Sequence, residues 1–144
     1  MIIIDTNILL SFLLTNGITR RIIIENPELF MSPAHCFDEL WEHRKRWNER
    51  KLPDNELIEI LDDVKRLFVI AISPEVYNSH IAEAEKLTAD KDDAPVIALA
   101  LSIDNDGIWT FNTKHFRQKI FGDRIKVLST KDVIRLVSLD KNHT

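Results

Sequence analysis

Apolar positions along the chain fall into two kinds of run. Short, largely β-branched runs alternate with longer stretches in which apolar residues recur every three or four positions. The first kind fits strands buried on both faces, and the second fits amphipathic helices. Met1-Ile2-Ile3-Ile4 opens the series and stops at Asp5. Helix-like text resumes over residues 8–14, with Thr6 or Asn7 placed to cap it.

The alternation continues to the end of the chain. Residues 18–25 predict a helix closed by Asn26-Pro27, and Leu29-Phe30-Met31 a strand. Ser32-Pro33 predicts the opening of a helix, serine as cap and proline in the first turn. Cys36, Phe37, Leu40, Trp41 and Trp47 carry its apolar stripe towards Arg50. Pro53-Asp54 opens another helix, with Leu57, Ile58, Leu61, Val64 and Leu67 on one side. Residues 68–72 read as a strand, and Ser73-Pro74-Glu75 as the start of a helix reaching Leu87, with Val76, Tyr77, Ile81 and Ala84 inward. Residues 96–101 are apolar all round and predict a helix buried on most sides, capped by Asp92 or Asp93. Strands are expected over 108–111 and 125–128, with a short helix over 114–121 between them. Ser129-Thr130 caps a final helix, and residues 141–144 read as a frayed end.

Strands alternating with helices predict an α/β protein: a single-domain α/β/α sandwich over residues 1–140 with a central parallel sheet and right-handed connections. In such sheets ligands bind beyond the carboxyl ends of the strands. That edge should gather Asp5, the helix bearing Asp38 and Glu39, the start of the helix after Asp92-Asp93, and Asn112. Asp38 and Glu39 both fall at the margin of their stripe, so periodicity does not choose between them.

Composition narrows the chemistry. A chain of 144 residues suits one domain. The single cysteine, Cys36, excludes an internal disulfide and a cysteine-based zinc cluster within one chain, and it suits a reducing, cytoplasmic setting. No apolar run approaches the ~20 residues of a membrane span, and no basic leader precedes the first apolar run, so neither membrane nor signal peptide is expected. GxGxxG and P-loop patterns are missing, as are HxxxH and HExxH, which disfavours common nucleotide-binding and zinc-hydrolase designs. With a net charge of −4, contact with nucleic acid must be local or carried by metal ions. The one basic cluster, residues 43–51, is either a solvated helix end whose cations suit the dipole or, through Arg44, Lys45 and Arg46, a flank for phosphates.

Several acids at one sheet edge repel unless something cationic sits among them. Hard cations such as Mg2+ bind carboxylate oxygens. Such an ion activates water and stabilises charge on a phosphoryl group.

Four stretches make the chain resemble the PIN domain family over nearly its whole length. They are Ile3-Ile4-Asp5-Thr6-Asn7, Ser32-Pro33 through Glu39-Leu40, Asp92-Asp93-Ala94 before Ala98-Leu99-Ala100, and Thr110-Phe111-Asn112-Thr113-Lys114-His115-Phe116. The resemblance implies a strand order of 3-2-1-4-5. It implies Asp5, Glu39 and Asp93 as metal-binding acids, Glu39 over Asp38 and Asp93 over Asp92. It further implies a Mg2+- or Mn2+-dependent endoribonuclease that cuts single-stranded RNA with a metal-activated water. Many small members are VapC-like toxins of toxin–antitoxin pairs, so a homodimer and an antitoxin partner are expected.

One position departs from the fullest form of the family. Asn112 stands where a fourth acid is often found, offering a carbonyl without charge and weakening the case for a second metal. Asp90, Asp92 and Asp106 are the candidates to compensate. Thr6, Asn7 and Thr110 are expected to orient carboxylates or waters, and Lys114 to contact RNA. His115 sits where members often carry an acid, and reads as a surface histidine before a catalytic one.

Two rival functions follow from the same residues. Asn112 suits an inactive PIN-like module that holds RNA or protein without cutting. Asp5 could be the nucleophile of a haloacid-dehalogenase-like phosphotransferase, but that chemistry needs an aspartate where Asn7 stands.

Overall fold

The computed structural model describes residues 1–112 and 116–143, with side chains as far as residue 138. Lys114 and His115 therefore lie outside the described residues.

Five strands form one parallel sheet: β1 (Ile2–Ile4), β2 (Phe30–Pro33), β3 (Val69–Ile72), β4 (Gly107–Trp109) and β5 (Val127–Leu128). Their order is β3-β2-β1-β4-β5, as the resemblance implied. Ile2 pairs with Phe30 on one side and Gly107 on the other, so β1 is central and its isoleucines are buried. Helices flank the sheet: α1 (Thr6–Leu14), α2 (Ile18–Glu25), α3 (Ala34–Glu42), α4 (Arg44–Trp47), α5 (Asp54–Leu67), α6 (Pro74–Tyr77), α7 (Ile81–Glu85), α8 (Ala94–Ser102), α9 (Gln118–Phe121) and α10 (Thr130–His143). Among the described residues, no single helix is long and apolar enough to cross a membrane.

The core explains the all-round apolar stretch. Residues Ala94 to Ala100 of α8 are all buried, because this helix touches α6, α7 and three strands. Phe30 and Trp109 meet across the sheet with ring centroids 5.8 Å apart, a tilted aromatic pair. Gly107 starts β4 at φ 134°, and a Cβ there would lie 2.8 Å from the Lys126 carbonyl oxygen. Only glycine combines that backbone conformation with that approach.

Several local expectations are corrected. Ser32 and Pro33 end β2, and the helix opens one residue later than expected, with Pro33 as its cap and no side-chain cap: the Ser32 hydroxyl donates to the Ile4 carbonyl at 2.7 Å, and Pro33 takes the last strand position. The expected long helix breaks at His43 into α3 and α4. Side chains bond the carbonyls before the break, with Trp47 Nε1 donating to Leu40 and Arg44 to Trp41. The stretch after Ser73 is likewise three short pieces, α6, a 3-10 turn over Asn78–His80, and α7, and Val76 points to solvent. Ile58 and Leu67 are exposed, so α5 buries only Leu57, Leu61 and Val64. The cap of α10 holds as expected at Ser129, where Ser129 and Asp132 exchange side-chain-to-backbone hydrogen bonds.

Candidate active site

Asp5 sits directly after β1 and caps α1 itself, in place of Thr6 or Asn7. Its Oδ1 accepts the Ile8 N–H at 3.0 Å, and its Oδ2 accepts the Thr110 hydroxyl at 2.7 Å. Thr110 in turn accepts the Asn112 N–H at 3.0 Å. The loop after β4 is thus fastened to the end of β1 through one carboxylate, which is 5% exposed.

Thr6, the next residue, donates to Glu39 Oε1 at 2.8 Å. Glu39 is half-buried on α3 and shares a cleft with Asp5, whereas Asp38 faces solvent. A third element brings further acids. The Asp90 carboxylate accepts the Asp92 N–H at 2.9 Å and caps a 3-10 turn over Lys91–Asp93, which leads into α8. Neither Asp92 nor Asp93 caps α8 with its side chain.

These residues converge on one cleft of about 430 Å3. Asp5, Thr6, Asn7, Glu39, Asp90, Asp92, Asp93 and Asn112 line it together, while His43, Arg46 and Trp47 come from the region of the α3–α4 break. Thr110 braces Asp5 through its hydroxyl. Asp106 does not join them. It precedes β4 at the amino edge of the sheet and holds the Met1 ammonium at 2.9 Å, so it cannot replace the acid missing at Asn112. Asp90 and Asp92 both line the cleft.

Electrostatics follow from burial. Desolvation pushes the Asp5 carboxyl above its ordinary range, against hydrogen bonds from Thr110 and Ile8 that lower it. Burial likewise raises Glu39, and the Asp92 charge adds to the rise while Thr6 opposes it. Among the described residues no lysine or arginine pairs with Asp5. A buried carboxylate with neutral donors and no cationic partner, beside other carboxylates, is a donor set that a hard divalent cation fits. Each carboxylate oxygen retains a lone pair after accepting one hydrogen bond.

The basic cluster divides. Arg44 is engaged in the fold: Nε meets Asp54 Oδ1 at 2.9 Å, and its guanidinium lies 4.0 Å from the Trp41 ring centre. Lys45 sits on the same side as Asp54, away from the acids, and only Arg46 lines the cleft. Sequence reasoning passed over His35, one helical turn before Glu39, and read His43 only as part of the basic cluster, whereas it lines the cleft. The spacing of four between His35 and Glu39 was the available signal.

The profile of the PIN domain family matches residues 3–131. The chain belongs to the PIN domain family, which has a nuclease-type fold and whose nucleases generally use divalent metals. No curated protein matches the chain.

Proposed function

We propose that this chain is a divalent-metal-dependent endoribonuclease acting on single-stranded RNA. The observation that carries the reading is the convergence of Asp5, Glu39 and Asp93, from three different elements, on one cleft. These three carboxylates would hold Mg2+ or Mn2+. When bound, such a cation supplies Lewis acidity towards a phosphodiester and an activated water.

The remaining roles belong to the protein's own groups. Thr110 and Thr6 fix the Asp5 and Glu39 carboxylates by donating to them, which keeps the other lone pairs directed outward. Asn7 and Asn112 line the cleft and offer neutral amide donors and acceptors to a phosphate or a water. Arg46 places a cation at the same cleft, suited to a phosphate next to the scissile one.

Family resemblance extends the reading to a cytoplasmic, VapC-like toxin that forms a homodimer and is held by an antitoxin. Exposed apolar side chains on α1 and α2, Leu14 and Ile18 among them, suit helical contacts of that kind. Neutral Asn112 favours a second reading, a weakly active or inactive module that binds RNA or protein.

The test is cleavage of a single-stranded RNA, a DNA of the same sequence and an RNA duplex, each with Mn2+. Cutting confined to the single-stranded RNA supports the proposal. Mn2+ binding without cutting of any strand moves the assignment to the binding module.

A further inference from the structure

The outer rim of the cleft contains a donor set that differs in chemistry from the acids inside it. His35 Nε2 lies 3.7 Å from Glu39 Oε1 and 3.9 Å from Asp92 Oδ1. Both separations are too long for hydrogen bonds. The Nε2 atom is nevertheless buried and has no hydrogen-bond partner among the described residues. A buried polar atom without a partner is costly and rare.

One ligand atom from each of His35, Glu39 and Asp92 falls within 4.8 Å of the other two. Two donors bound to one small divalent ion at about 2.0–2.2 Å each can be no more than about 4.4 Å apart. The two distances from the imidazole nitrogen fit inside that limit. Asp92 is exposed, so its carboxylate has room to close on an ion. The start of α3 is steadied by the backbone N–H of His35, which donates to the buried Tyr77 hydroxyl at 3.4 Å.

We infer that His35, Glu39 and Asp92 form a cation site of mixed nitrogen and oxygen donors, selecting Mn2+ and later first-row ions over Mg2+. The inference rests on the nuclease reading in sharing Glu39 with its metal-holding acids. It adds a position that carboxylates alone do not define. An imidazole donor suits transition ions, whereas Mg2+ keeps to oxygen ligands and retains its water. Asp92 would thus bring to the rim a charge that Asn112 does not supply.

The experiment is pulsed electron paramagnetic resonance of the Mn2+-loaded protein, which detects a directly bound imidazole nitrogen, alongside Mn2+ and Mg2+ titrations. Wild type is expected to show nitrogen coupling, and His35→Gln to lose it. Mn2+ affinity should fall more than about 10-fold in His35→Gln, since losing a direct ligand costs at least what losing a ligand's hydrogen-bond partner does, with Mg2+ affinity little changed. Asp92→Asn, a change at an exposed residue, should weaken Mn2+ binding while the nitrogen coupling persists in the loaded protein. Absence of coupling in wild type overturns the inference, as does coupling that survives in His35→Gln. Coupling without RNA cleavage sustains this site and removes the nuclease reading. Cleavage without coupling does the reverse.

Discussion

The Thr110 hydroxyl donates to Asp5 Oδ2 at 2.7 Å, joining residues 105 positions apart in sequence. Because the same hydroxyl accepts the Asn112 N–H, one oxygen sets both a buried carboxylate and the loop beside it. Thr110→Val keeps the side-chain shape and removes both bonds. The Asn112 N–H is then left without its acceptor, and stability should fall by about 1–3 kcal/mol. Metal affinity should fall about 10–100-fold, since Asp5 loses its orienting donor. Calorimetric titration with Mn2+ and denaturant unfolding measure the two effects separately.

Gly107 tests the sheet. With φ at 134° and the Lys126 oxygen only 2.8 Å from where a Cβ would stand, the position has no room for alanine. Gly107→Ala should cost at least ~2 kcal/mol, from backbone strain together with the displacement of β5 from β4. Urea unfolding reads the loss. The cleft lies at the other end of the strands, so metal binding by the remaining folded fraction should be retained.

Arg44 and Arg46 should separate. Arg46→Ala removes a cation from the cleft and should weaken RNA binding almost uniformly across sequences, lowering the salt slope by about one unit. Arg44→Ala breaks the contacts with Asp54 and Trp41 and should lower stability by roughly 1 kcal/mol with the slope unchanged. Binding titrations at several salt concentrations distinguish the two. Equal slopes for both variants would contradict the division.

The pH dependence has a definite sign. Burial raises the carboxyls of Asp5 and Glu39 in the folded protein. Their contribution to stability is therefore fully present below the ordinary carboxylate values and is lost as pH rises through the raised ones. Asp5 dominates, because Glu39 is partly exposed and screened by solvent. A divalent cation compensates the charge that burial disfavours, so its stabilising effect should grow over that window. Thermal unfolding at about pH 4.5 and about pH 7.5, with and without Mn2+, should show the larger metal-induced rise in Tm at the higher pH.

Most of the sheet was legible because each strand is a short apolar run bounded by polar or helical text. Asp5 was legible because it interrupts such a run at the edge where ligands bind. Ser32-Pro33 misled because a serine before proline has the signature of a helix start, while in the fold the serine hydroxyl reaches sideways to Ile4. The break at His43 was hidden because Leu40 and Trp47, seven residues apart, continue a helical stripe across it. Trp47 in fact folds back to the Leu40 carbonyl. The place of Asp106 was unreadable locally, since its partner is the first residue of the chain. His35 escaped notice because a lone histidine one turn before Glu39 carries no motif, and its approach to Asp92 comes from a different element far along the chain.

The metal mechanism is tested most directly by RNA cleavage with wild type and Asp5→Asn, each in EDTA, Mg2+ and Mn2+. Asparagine can keep the cap on Ile8 and removes a buried charge, so the variant should fold with equal or greater stability in EDTA. The expected result is cutting by wild type in Mg2+ or Mn2+ only, and by Asp5→Asn in none of the three. Cutting that persists in EDTA, or in Asp5→Asn, would contradict a metal held by Asp5.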